Sequence, residues 1–104
     1  MTNITLNLTK EQAHVIAEAL EMYQMVGIGH LDEILEQQTL RNLIEKQGLL
    51  RNQKAREKVL DLKETLTGLH RDACVSIHNE DVVHKDTKLA FDLMKEVRLH
   101  INNA

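Results

Sequence analysis

Three residues with metal-binding or nucleophilic side chains recur at one interval: His70, Cys74 and His78, in the pattern H-x3-C-x3-H. On a continuous helix this spacing would align two imidazoles and a thiol on one face. That is a zinc-competent set, with His84 available as a fourth ligand. The intervening residues argue against a continuous helix. Gly68 precedes the run, Asn79 follows it, and Ala73, Val75 and Ile77 alternate with polar residues as an extended segment does. Structural zinc sites also usually set close ligand pairs on tight turns. Surface or capping histidines around a buried thiol are therefore expected, with no metal and no cofactor. Cys74 as a nucleophile would need a base and an orienting group, and no strand–turn–helix elbow or glycine-rich loop surrounds it. The acidic pairs Asp32-Glu33 and Glu80-Asp81 are adjacent in sequence, so on a helix their carboxylates diverge. No catalytic residue is expected, and an enzyme is the least favoured class.

Anion binding has more to draw on. Residues 1–40 hold six acids against one base, a net charge of −5, whereas residues 41–63 hold seven bases against three acids, a net charge of +4. The basic segment either attracts the acidic one, within a subunit or between subunits, or offers a surface to phosphates. In the final helix Asp92 and Lys95 can pair at i, i+3 as ordinary exposed charges; the alternative is that Arg98 lies at a concave or intersubunit site and clamps an anion bidentately. Gly27-Ile28-Gly29-His30 lacks the third glycine of a dinucleotide fingerprint and the Lys-Ser/Thr of a P-loop. It reads as a helix-to-helix corner whose neighbours Tyr23 and His30 could border a ligand. The candidate ligand-binding residues are Tyr23, His30, Arg41 and Arg98.

The elements that must hold these residues are mostly helical. Aromatic residues are scarce, with one Phe, one Tyr and no Trp, and 28% of residues are charged. This fits helices better than a β-sandwich and weakens base stacking on aromatic platforms. Residues 3–8 alternate as a half-buried strand, whose natural partner is the stretch 73–78. Thr9 and Gln12 form a capping-box pattern for a first helix over residues 10–26, with Ala13, Ile16, Ala17, Leu20 and Tyr23 facing the core. A second helix starts at His30 or Leu31. Two helices divided at Gly48 are expected; one long rod stays open, because glycine inside a helix costs only about 1 kcal/mol. Gly68 closes this part. Asp86 caps a last helix over residues 87–102 with the stripe Ala90, Leu93, Met94, Val97 and Ile101.

The chain of 104 residues is expected to form a single domain, mainly α, with three to four helices and the minor two-stranded β element. Its wide apolar stripes predict a homo-oligomer. One cysteine, no signal-peptide pattern and no apolar run of about 18 residues predict a cytoplasmic protein without membrane contact.

Three stretches carry a resemblance. The first runs from Leu6-x-Leu8-Thr9-Lys10-Glu11-Gln12-Ala13 through Glu18-Ala19-Leu20-Glu21-Met22-Tyr23 to Gly27-Ile28-Gly29-His30-Leu31. The second is Leu66-Thr67-Gly68-Leu69 with Ser76-Ile77-x-Asn79, and the third is Lys88-Leu89-Ala90-Phe91-Asp92-Leu93-Met94-Lys95-Glu96-Val97-Arg98. Together they resemble an uncharacterised family of small helical proteins encoded by tailed bacteriophages and prophages. His30, Met94, Lys95 and Ser76 depart from that family's pattern. The resemblance implies a phage origin, a helical fold and a place of action in the host cell. The expected function is a non-catalytic accessory protein, with anti-defence sequestration of a small anionic, cyclic nucleotide-like signal as its leading form. An adaptor that binds a host or phage protein is the alternative, and nucleic acid is disfavoured by the net acidity.

Overall fold

The computed structural model of the chain describes residues 2–103. It is mainly helical. Helix α1 spans Lys10–Gly27, a 3-10 segment spans Leu31–Glu36, and helices α2, α3 and α4 span Gln38–Glu45, Leu49–Thr67 and Lys85–Asn102.

The α1 start is the one its sequence encodes. The Thr9 hydroxyl accepts from the Gln12 amide at 3.1 Å, and the Gln12 side chain accepts from the Thr9 amide at 2.9 Å. Two of the helix's orphan donor groups are thereby satisfied. Its buried stripe runs through Ala17, Gln24 and on to Ile28. Tyr23, expected to face the core, is 53% exposed. The stripe advances by four residues after Leu20, which turns Gln24 inward and Tyr23 out.

Helix α4 lies antiparallel along α1, and this pair carries most of the core. Ala13 shares a cleft with Val97 and Ile101 at one end. At the other end Gly27 meets Thr87, where a Cβ on Gly27 would sit 2.5 Å from the Thr87 hydroxyl oxygen. Ala90, Met94 and Ile101 are buried along the seam. The cap of α4 lies two residues earlier than expected: His84 Nδ1 accepts from the Asp86 amide at 3.0 Å, so Asp86 lies inside the first turn.

The glycine corner is both a close approach and a turn. Gly27 permits the close α1–α4 approach. Gly29 has φ +105°, a backbone state that L side chains rarely adopt, and it turns the chain into the 3-10 segment. The helix expected from His30 or Leu31 is interrupted. Gln37 is extended (ψ 129°), and its side chain accepts from the Leu40 amide at 2.9 Å to start α2 afresh. Glutamine is not among the usual N-caps, which is why the break left no mark in the pattern. Gly48, at φ +94°, separates α2 from α3 and removes the single-rod alternative.

The β element does not form: the described residues contain no strand. The reason is distance along α1. Residues 3–8 sit at its N-terminal end, where Leu6 and Leu8 border Ala13 and Ile101. Val75 instead donates to the Ile28 carbonyl at 2.8 Å, past its C-terminal end. Eighteen helical residues, about 27 Å at 1.5 Å per residue, separate the intended partners. The alternation read from residues 73–78 is nonetheless real. Arg71, Ala73, Val75, Ile77 and Asn79 are half-buried, and the residues between them are exposed.

Helices α2 and α3 pack on one another and on the 3-10 segment, and their backbones do not approach α1 or α4. The result is drawn out. The radius of gyration is 16.0 Å, against about 13 Å for a compact chain of 100 residues. No helix among the described residues is long and apolar enough to cross a membrane.

Candidate functional site

The four candidate residues occupy different parts of the molecule. Arg98 donates to Glu21 across the α1–α4 seam at 2.8 Å and also lies against the Met94 sulfur. The hydrogen bond to Glu21 holds its guanidinium pKa above the ordinary value. Arg41 donates to Glu45 at 3.0 Å and lies 3.5 Å from Glu36, beside a small polar cleft it shares with Asn52 and Arg56. Its pKa is likewise raised, chiefly by the Glu45 hydrogen bond. His30 precedes the 3-10 segment and makes no side-chain cap. Tyr23 lines a shallow groove with Leu20, Asp86, Leu89, Ala90 and Leu93. Both arginines are thus engaged by carboxylates within the chain.

A better-formed cavity lies next to Tyr23. The segment 77–83 and the first turns of α4 enclose about 540 Å³, within the range of small-molecule sites. Ile77, Val83 and Leu89 supply apolar wall, and His78, Lys85 and Lys88 supply donors, with Glu80 also at the lining. Leu89 is common to this cavity and to the Tyr23 groove. Lys88 also pairs with Asp92 at 2.9 Å and lies 5.3 Å from the centre of the Phe91 ring. The Lys88 hydrogen bond pulls the Asp92 pKa below its ordinary value, with help from Lys95 and His78. A charged group thus runs along the outer face of α4 beside the cavity. Lys85 forms no ion pair with a described residue. Sequence reasoning named His78 only for metal binding and overlooked Lys85 and Lys88. Their i, i+3 spacing at the start of α4 was the available signal, obscured by the acidic residues around them.

His70, Cys74 and His78 lie in the turn-rich connection between α3 and α4, so no helical face aligns them. No three His, Cys, Asp or Glu side chains among the described residues gather as a metal site. Cys74 is exposed, not buried, because the inward positions of its alternating segment are the odd-numbered ones.

Lys63, the last base of the 41–63 cluster, is fully buried. Its ammonium donates to the carbonyls of Arg71, at 2.8 Å, and Ala73. The Arg71 side chain reaches back along α3 to Asp61 at 3.0 Å and to Glu57. This double clasp pins the α3–α4 connection to α3. The same connection grips the glycine corner through Val75 and through Leu69, which packs where a Gly29 side chain would stand.

No protein-family model, curated protein or solved structure matches this chain.

Proposed function

We propose that the chain is a non-catalytic phage accessory protein. It acts as a homo-oligomer in the host cytoplasm and counters defence by sequestering a small anionic, cyclic nucleotide-like signal. The observation that carries the ligand part is the cavity at residues 77–89. It pairs apolar wall for a base with the unpaired Lys85 ammonium and with Lys88, which would have to share its ammonium between phosphate and Asp92, and the exposed Tyr23 ring lies in the adjoining groove. Apolar lining with a few convergent polar groups is the general form of a small-ligand site. Titration of the purified protein with a panel of cyclic nucleotides by calorimetry tests it. Binding heat and a raised melting temperature are expected for at least one member. Heat-silent titrations across the panel, with no thermal shift, overturn it.

A second reading, an adaptor for a host or phage protein, is favoured by the leucines that α3 leaves in solvent: Leu49, Leu50, Leu62 and Leu66 are 51–76% exposed. Leu62 and Leu66 share one face at i, i+4, a spacing that suits anchors in a protein groove. A stoichiometric protein partner recovered from infected cells, with no nucleotide bound, would replace the first reading by this one.

A further inference from the structure

The two charged segments of the chain are only partly spent on each other, through Arg41 with Glu36 and Arg56 with Asp32. Of the bases on α3, Arg56 turns inward to Asp32 at 3.2 Å. Arg51, Lys54 and Lys58 pair with no carboxylate among the described residues. By the 3.6-residue repeat these three fall on one face with Leu50 and Leu62, nearly opposite Arg56 and Lys63. Leu50 and Leu62 are 76% and 51% exposed. This outward face is therefore apolar and cationic together.

The 3-10 segment shows the inverse. Ile34 is 42% exposed and stands among Asp32, Glu33 and Glu36. Glu33 has no ion-pair partner among the described residues. Its carboxyl is pushed above the ordinary range by burial first, then by Glu36, Asp32 and Glu21. Because Arg56 already fills the inner side of α3 against Asp32, the acidic segment and the outward basic face lie on opposite sides of that helix. They cannot meet within one chain.

We infer that the outward face of α3, with Leu50, Arg51, Lys54 and Lys58, docks head-to-tail on the acidic 3-10 segment around Glu33 and Ile34 of a second copy. The α3 face sets exposed leucines beside three unpaired bases, its carboxylates Glu57 and Asp61 being held by Arg71; the 3-10 face sets Ile34 beside the unpaired Glu33, and the unpaired charges of the two faces are opposite in sign. Opposite placement makes the contact heterologous, so it propagates from copy to copy, into a ring where the rotation closes and a filament where it does not. The inference rests on the homo-oligomer part of the reading above and is independent of the ligand.

The test is a charge exchange followed by native mass spectrometry and light scattering. One variant carries Glu33→Lys and Glu36→Lys; the other carries Lys54→Glu and Lys58→Glu. Circular dichroism and melting curves establish that each is folded. The wild type is expected to assemble at low salt and to lose mass as salt is raised, a result that needs no variant. Each variant alone is expected to be monomeric, and an equimolar mixture to re-form the assembly, since each then carries the charge the other lacks. An assembly indifferent to both variants overturns the inference and leaves the homo-oligomer standing. A wild type that is monomeric at all concentrations overturns both. Nucleic acid retained by the wild type and lost from the Lys54→Glu, Lys58→Glu variant, with no change in protein assembly, assigns the face to nucleic acid and overturns the inference.

Discussion

The Arg98 guanidinium lies 2.8 Å from the Glu21 carboxylate, joining helices at opposite ends of the sequence. Both side chains keep more than two-fifths of their exposure, so the pair marks the register of α1 against α4 more than it stabilises it. Glu21→Gln is expected to cost less than about 1 kcal/mol in urea unfolding. The exchange Glu21→Arg with Arg98→Glu is expected to restore that small loss. A cost of several kcal/mol would mean that the pair is shielded from water.

Close approach at Gly27 has a sharper signature. Gly27→Ala places a methyl group against the Thr87 side chain, and a drop in melting temperature is expected. Adding Thr87→Ala should recover part of it, because the nearest contacts, to Oγ1 and Cγ2, disappear. Equal losses that simply add would contradict this packing.

Lys63→Ala removes the ammonium from two carbonyls and empties a filled site. A loss of about 2–4 kcal/mol is expected from the denaturation midpoint. Faster proteolysis within residues 68–84 should accompany it, since that connection is what the clasp holds.

The pH response of Glu33 has a definite sign. Its folded pKa is raised, so the folded state holds the proton more tightly than the unfolded state does. Stability attributable to this group therefore falls as pH rises from the ordinary glutamate range through the raised value. Glu33→Gln is expected to be more stable than wild type at neutral pH, with the advantage vanishing in acid. Unfolding curves across that window measure it; a constant advantage at every pH would refute it.

At the cavity, Lys85→Gln with Lys88→Gln is expected to weaken binding of a responsive cyclic nucleotide about tenfold or more, from the loss of charge-assisted contacts. Unchanged affinity by calorimetry would place the ligand elsewhere.

The helical class, the capping box at Thr9, the glycine corner and the division at Gly48 were all legible, because each has a local cause that acts within a few residues. What escaped depended on distant parts of the chain. The partner of Val75 is the Ile28 carbonyl, and no alternation in residues 73–78 could distinguish that from a strand at residues 3–8. Lys63 reads as one more base in a charge run; only the fold brings the carbonyls of Arg71 and Ala73 over it. The same holds for Arg41 and Arg98, whose carboxylate partners satisfy charges that sequence left free. Lys85 and Lys88 border a cavity that exists only once the segment 77–83 folds back on α4.

Separation of the two helix pairs also sets an order of events in folding. Helices α2 and α3 are neighbours in sequence, joined at Gly48, and can meet after closing a very short loop. Helices α1 and α4 must bring together the two ends of the chain, at a closure entropy that the intervening half of the sequence dictates. The hairpin of α2 and α3 is thus the local, early-forming unit. The seam that holds most of the core is expected to form later, because its contacts join the two ends of the chain.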